Sequence, residues 1–101
     1  MSISLCVEVN GAFIYANYLS TNMKKILDDI DIPISGDFTG TINFKEIPDC
    51  VKKLLSLIKD CEKEIELSSI SDRSEAWLAR YKEVLCVFTT AYMFGKDVTY
   101  A

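Results

Sequence analysis

Asn10-Gly11 is the residue pair that most restricts what this chain can fold into. A two-residue type I′ turn needs positive φ at both central positions, and Asn-Gly supplies it at least strain. The flanks agree. Ile3, Leu5, Val7 and Val9 alternate with Ser4, Cys6 and Glu8, which is a period of two with one apolar side. Residues 12–18 read as the return strand, rich in Phe13, Ile14 and Tyr15. A β-hairpin therefore opens the fold.

Helical periodicity takes over after it. Met23, Ile26, Leu27 and Ile30 share one side of a short helix that Ser20 or Thr21 is placed to cap, and Pro33 ends it. Ser35-Gly36 and Thr39-Gly40 mark residues 31–43 as loop, with room for a short strand over 41–44. Pro48 suits the first turn of a long helix in which Ile47, Val51, Leu54, Ile58, Cys61 and Ile65 recur every three or four residues, ending near Leu67. Asp72 with Glu75 resembles a capping box for a third helix that carries Trp77, Leu78, Tyr81, Leu85, Phe88 and Tyr92 and is capped by Gly95. The second half of that helix is apolar almost all round, so it reads as the buried central helix. Residues 97–100 then read as a last strand that can join the hairpin. With 101 residues and no linker or repeat, the expectation is one α+β domain: the hairpin and closing strand packed on a short helix and a long antiparallel helix pair.

Composition narrows function mostly by exclusion. The chain has no histidine, the usual proton shuttle and metal ligand near neutral pH. No P-loop, GxGxxG, GxSxG or EF-hand pattern occurs, so neither a catalytic residue nor a metal or other cofactor is expected. Cys6, Cys50, Cys61 and Cys86 form no CxxC or zinc spacing and read as reduced core residues. Lys24-Lys25 and Lys52-Lys53 are isolated pairs, so direct nucleic-acid binding is not expected. Phe13, Tyr15, Tyr18, Trp77, Tyr81 and Tyr92 follow the buried periodicities and read mainly as core. The longest apolar run, residues 84–94, would rise only ~16 Å as a helix, and the N-terminus lacks a signal-peptide pattern. A cytoplasmic protein that does not enter membranes is the expectation.

The charge is localised. The net charge is −4, and residues 28–46, with Asp28, Asp29, Asp31, Asp37 and Glu46 against Lys45, account for all of it. Carboxylates at a helix C-terminus oppose its dipole, a local cost that points to another use. The stretch is either a solvated loop that aids solubility or a docking site, and in the second case Asp28, Asp29, Asp31 and Asp37 are the candidate contact patch for a basic protein partner. On the second helix, Asp60, Glu62, Glu64 and Glu66 interleave with Lys59 and Lys63, which predicts ordinary salt bridges along its surface.

The order of features also resembles a loose group of small phage and prophage proteins of about this size. Asn10-Gly11 leads into Ala16-Asn17-Tyr18 and Ser20-Thr21-Asn22-Met23 before a helix, where the group has an N-x-T-x-N turn. Trp77 and Tyr81 stand where it has W-x-x-Y, and Asp97-Val98-Thr99 stands where a short strand closes its chains. Here the first motif is lengthened by Leu19 and Ser20 and the second by one position, and residues 31–70 lie outside the match. The resemblance implies an accessory product of a mobile element, of a kind that inhibits host enzymes such as nucleic-acid-handling complexes.

Residues and resemblance together lead to one expectation and its alternatives. The first is a non-enzymatic acidic protein that binds and inhibits or modulates a basic partner, such as a host nuclease or nucleic-acid-binding complex, in an anti-defence role. The alternatives are a binder of a small nucleotide-like ligand, with Tyr15 and Tyr18 lining a pocket, and an immunity protein or antitoxin. The stripe from Ile47 to Ile65 leaves open a homodimer through the second helix.

Overall fold

Asn10 and Gly11 adopt φ of 52° and 83°, and the strands they join, β1 (Ser2–Val9) and β2 (Ala12–Leu19), pair in unbroken register from Val9↔Ala12 to Ser2↔Leu19. The computed structural model describes residues 1–34, 37–67 and 72–101. The expected Ser35-Gly36 turn and the Ser68-Ser69 boundary lie outside them, as does the Asp72 side chain and with it the capping box.

Among the described residues three helices and two short strands follow: α1 (Ser20–Asp29), β3 (Gly40–Ile42), α2 (Ile47–Leu67), α3 (Asp72–Phe94) and β4 (Val98–Tyr100). The sheet order is β2-β1-β4-β3, with every pair antiparallel. The closing strand thus joins the hairpin as its residues suggest, and β3 completes the far edge. The fold is α+β.

One face of the sheet carries the core. Ile3, Leu5 and Val7 of β1, Ala16 of β2, Ile42 of β3 and Val98 and Tyr100 of β4 are buried. Met23, Ile26 and Leu27 of α1 cover part of this face, and Tyr81, Val84, Val87, Phe88 and Ala91 of α3 bury along a stripe of three- and four-residue steps. α3 contacts β1, β2 and β4 as well as α2, so it lies between the sheet and α2. On α2, Ile47, Cys50, Leu54 and Ile58 are buried. That stripe finds its cover in α3 within one chain. Thr89 and Thr90 interrupt the apolar half of α3 without an unpaired hydroxyl, because each donates to a carbonyl one turn back, Leu85 and Cys86, at 2.8 Å.

Three expectations need correction. α1 has Leu19, not Ser20 or Thr21, at its N-cap, with no side-chain cap bond. The reason is the ladder: the Ser20 amide donates to the Met1 carbonyl at 3.1 Å, so the hairpin runs straight into the helix and leaves no separate cap residue. The end of α3 is not buried all round: Tyr92, Met93 and Phe94 are exposed, as are Ala79, Lys82 and Cys86. The sheet and α2 occupy two sides of this helix and solvent the third. The charged residues in the second half of α2 form no bridges with one another. Among the described residues Lys59, Asp60, Glu62, Lys63, Glu64 and Glu66 make no ion pair, consistent with the small gain of such pairs in water.

β3 and β4 meet at a close approach. Gly40 lies opposite Tyr100, and a Cβ on Gly40 would overlap the Tyr100 ring and hydroxyl. Tyr100 is buried, and its hydroxyl donates to the Pro33 carbonyl at 3.4 Å, so the ring has little room to yield. Gly40→Ala is expected to destabilise the fold by about 1–3 kcal/mol through overpacking. Urea unfolding followed by Trp77 fluorescence measures it, and an unchanged midpoint would contradict the contact.

Candidate functional site

The structure gives Asp29 and Asp31 of the four candidate aspartates partners on neighbouring elements. Asp31 follows the C-terminus of α1 with φ of 60°. The Asp31 amide donates to the Asp28 carbonyl (3.1 Å) and the Ile32 amide to the Leu27 carbonyl (2.8 Å). This is the Schellman arrangement, with Asp31 where glycine is usual and buried Ile32 and Leu27 forming its apolar contact. A carboxylate there opposes the helix dipole. Lys53 of α2 offsets it, bridging Asp31 and Asp49 at 2.9 Å each. These bonds raise the Lys53 pKa, so the ammonium stays charged and ties α1 to α2.

Asp29 belongs to a cluster between α1 and α3. The Lys25 ammonium donates to the Asp29 carboxylate (2.7 Å) and to the Tyr81 hydroxyl (2.9 Å), which itself donates to Asp29 (3.0 Å). The same ammonium sits 4.6 Å from the centre of the Trp77 ring, as does the Arg80 guanidinium. Burial works against the Lys25 charge, but its bonds to Asp29 and Tyr81 outweigh that and raise its pKa. Burial chiefly, with the Asp29 bond, raises the Tyr81 pKa against the pull of Lys25. An ammonium and a phenol that both hold their protons more firmly than usual are poor bases and nucleophiles. The cluster serves as a clamp beside a shallow depression of about 330 Å³ that Cys61 and Glu64 also line.

Asp28 and Asp37 remain. Asp28 is exposed, makes no ion pair among the described residues, and shares a small depression with Asp31, Ile32 and Pro33. Asp37 is exposed and accepts from the Thr39 amide at 3.4 Å. Asp29, bonded to Tyr81, does not line that depression. Of the four aspartates, Asp28 and Asp31 line one depression, Asp29 bonds to Lys25 and Tyr81, and Asp37 accepts from its own loop.

The outer face of the sheet presents a surface that periodicity alone did not single out. Phe13, Tyr15 and Leu19 of β2 are 63%, 67% and 62% exposed there. Beside them stand Ser2, Ser4, Cys6 and Glu8 of β1 and Thr99 of β4. Asn17 donates to the Ser4 hydroxyl at 2.6 Å and orders the middle of the face. Glu8 pairs with Phe13 across the strands, and Asp97, whose carboxylate accepts from the Phe44 amide (2.8 Å), lies exposed just before β4. No strand residue on this face is a lysine or arginine. Phe13, Tyr15 and Tyr92 are therefore surface residues, contrary to the core expectation, and only Tyr81 is fully buried, with Tyr18 and Trp77 half-buried. Tyr15 and Tyr18 cannot line one pocket, because an odd step along a strand puts them on opposite faces. Tyr18 points inward, where its hydroxyl donates to Glu83 of α3 at 2.7 Å.

A larger open depression, about 600 Å³, lies where the start of α2 meets the end of α3, lined by Lys45, Pro48, Asp49, Val51, Lys52 and Tyr92. Among the described residues no three acidic or cysteine side chains converge as metal ligands, no buried polar side-chain atom lacks a hydrogen bond, and no helix is long and apolar enough to cross a membrane. Comparison with family models, with characterised proteins and with solved structures returned no match.

The four thiols are free and unequal. Cys50 is buried, Cys6 and Cys61 are half-buried, and Cys86 is exposed, against its assignment to the core. Burial pushes the Cys50 thiol from 9.0 up to about 11 and raises Cys61 as well. Burial and the Glu83 bond raise Tyr18. Each of these groups, like Lys25, Lys53 and Tyr81, holds its proton more tightly when folded, so the unfolded chain releases protons first as pH rises and stability falls. The melting temperature is expected to fall above about pH 9, with the Cys50 share lost between 9.0 and about 11. Cys50→Ala should flatten that interval in a calorimetric pH series. A melting temperature constant to about pH 11 would contradict the assignment.

Proposed function

We propose that this chain is a non-enzymatic binding protein that engages a basic protein partner and thereby inhibits or modulates it. The observation that carries this reading is the outer face of the sheet, where exposed Phe13 and Tyr15 adjoin the Glu8 carboxylate in a field without strand cations. An aromatic ring beside a carboxylate suits an arginine or lysine side chain, which stacks on the one and pairs with the other. Large exposed aromatics on a monomer surface mark interaction sites. Asp28 and Asp37 add negative charge elsewhere on the chain and strengthen the attraction at long range. An inhibitor of a nuclease or nucleic-acid-binding complex, as the phage-protein resemblance implies, is the form of this function we favour.

The depression of about 600 Å³ favours a second reading, since Lys45, Lys52 and Tyr92 there suit a small anionic, ring-bearing ligand of the nucleotide kind.

One experiment separates these. Wild type, a Glu8→Lys/Phe13→Ser variant and a variant with Asp28, Asp29, Asp31 and Asp37 all changed to Asn are each used to capture partners from host lysate at rising salt. A basic protein held by wild type, released by salt and lost by the Glu8→Lys/Phe13→Ser variant is the expected result. Loss only in the four-aspartate variant would move the site to the end of α1. Capture of no basic protein, together with thermal stabilisation by nucleotides, would favour the ligand reading.

A further inference from the structure

β2 is the end strand of the sheet, and its hydrogen-bond phase is set by two observations. The Ser20 amide bonds back to Met1, while Ser4 exchanges bonds with Ala101 (2.8 and 3.0 Å) on the other side of β1. In an antiparallel ladder the bonded pairs alternate. Ala12, Ile14, Ala16 and Tyr18 therefore bond to β1, and Phe13, Tyr15 and Asn17 turn their amides and carbonyls to the free edge. Leu19 commits its carbonyl to the start of α1.

Free edges are usually blunted by lysine, proline or a bulge. Residues 12–19 contain no charge and no proline, and their register with β1 is continuous. The edge is a pairing template along its length.

We propose that it pairs with the same edge of a second copy, antiparallel about a two-fold axis through Tyr15, so that two four-stranded sheets become one of eight strands. Three features favour a second copy over a foreign strand. About this axis Tyr15 meets Tyr15, and Phe13 meets Asn17 and the reverse, so the free amides and carbonyls of all three residues in both copies are satisfied reciprocally. The step keeps outer-face residues beside outer-face residues, with Ile14, which is 37% exposed, covered by Ala16 of the other copy. And residues 12–19 carry no charge, so the pairing sets no like charges opposite each other, whereas a basic strand finds no carboxylate along β2 to pair with. The two outer faces then lie on the same side of the joined sheet, and two Phe13–Tyr15–Glu8 surfaces become one bivalent surface.

The pairing does not rest on the partner-binding reading, because its test uses the purified chain alone. Mass is measured by light scattering over about 1 µM to about 1 mM for wild type, Tyr15→Lys, Tyr15→Glu, their equimolar mixture, and Met93→Lys as an exposed control on α3. Wild type and the control are expected to reach twice 11.4 kDa, each Tyr15 variant to stay at 11.4 kDa, and the mixture to return to twice that mass as opposite charges meet on the axis. Circular dichroism matching wild type shows that the variants are folded. Wild type at 11.4 kDa throughout overturns the proposal and leaves the edge to a strand from another protein. Tyr15 variants that remain dimeric, or a mixture that remains monomeric, overturn the axis at Tyr15.

Discussion

Everything in this molecule depends on how one face of a four-stranded sheet is covered. Ile3, Leu5 and Val7 provide the apolar face, and α3 lays Val84, Val87, Phe88 and Ala91 toward the core they form. Because α2 attaches through α3, its stripe from Ile47 to Ile58 stabilises the outer layer without touching the open side of the sheet. A chain this short has one core to build, and building it on a single face leaves the other face and the β2 edge open to a partner. The surface available for function is thus a consequence of the packing.

The polar contacts reinforce this arrangement. α1 is held at two points: Lys25 and Asp29 grip Tyr81 of α3, and Asp31 is bridged by Lys53 of α2. Asp29 and Asp31, two of the five carboxylates in the acidic stretch that dominates the charge of the chain, thereby have a structural role, as the means by which a short helix with an unfavourably charged C-terminus is locked to its neighbours. Both contacts are partly exposed, so they contribute geometry more than energy. The carboxylates with most freedom to act on a partner are Glu8, on the open sheet face, and Asp28, at the helix end.

The elements were largely legible in the residues. Asn10-Gly11, the alternation around it, the three- and four-residue steps of the helices and Gly95, with φ of 62°, at the end of α3 all correspond to observed features. What stayed illegible was which side of each element meets a neighbour. Alternation in β2 separates Phe13, Tyr15 and Leu19 from Ala16 and Tyr18, but nothing local says that only the second set is covered. For the same reason spacing reads Tyr92 as core, whereas it is exposed at the rim of the depression beside the start of α2. The Lys53–Asp31 bridge and the Tyr81–Asp29 bond join residues far apart in sequence, whereas the local pairing expected among Lys59, Asp60, Glu62, Lys63, Glu64 and Glu66 does not form among the described residues, because solvated side chains gain little from it. For the candidate site, charge counting located the acidic stretch but not that two of its members are already engaged.

Amide hydrogen exchange along β2, read residue by residue at a series of concentrations, tests the central claim that this strand is bonded on one side and open on the other. Alternation is expected at the lowest concentration, with Ile14, Ala16 and Tyr18 protected and Phe13, Tyr15 and Asn17 exchanging quickly. Protection of the second set should then grow with concentration as the edge is covered. Uniform protection at every concentration, or fast exchange along the whole strand, would contradict it.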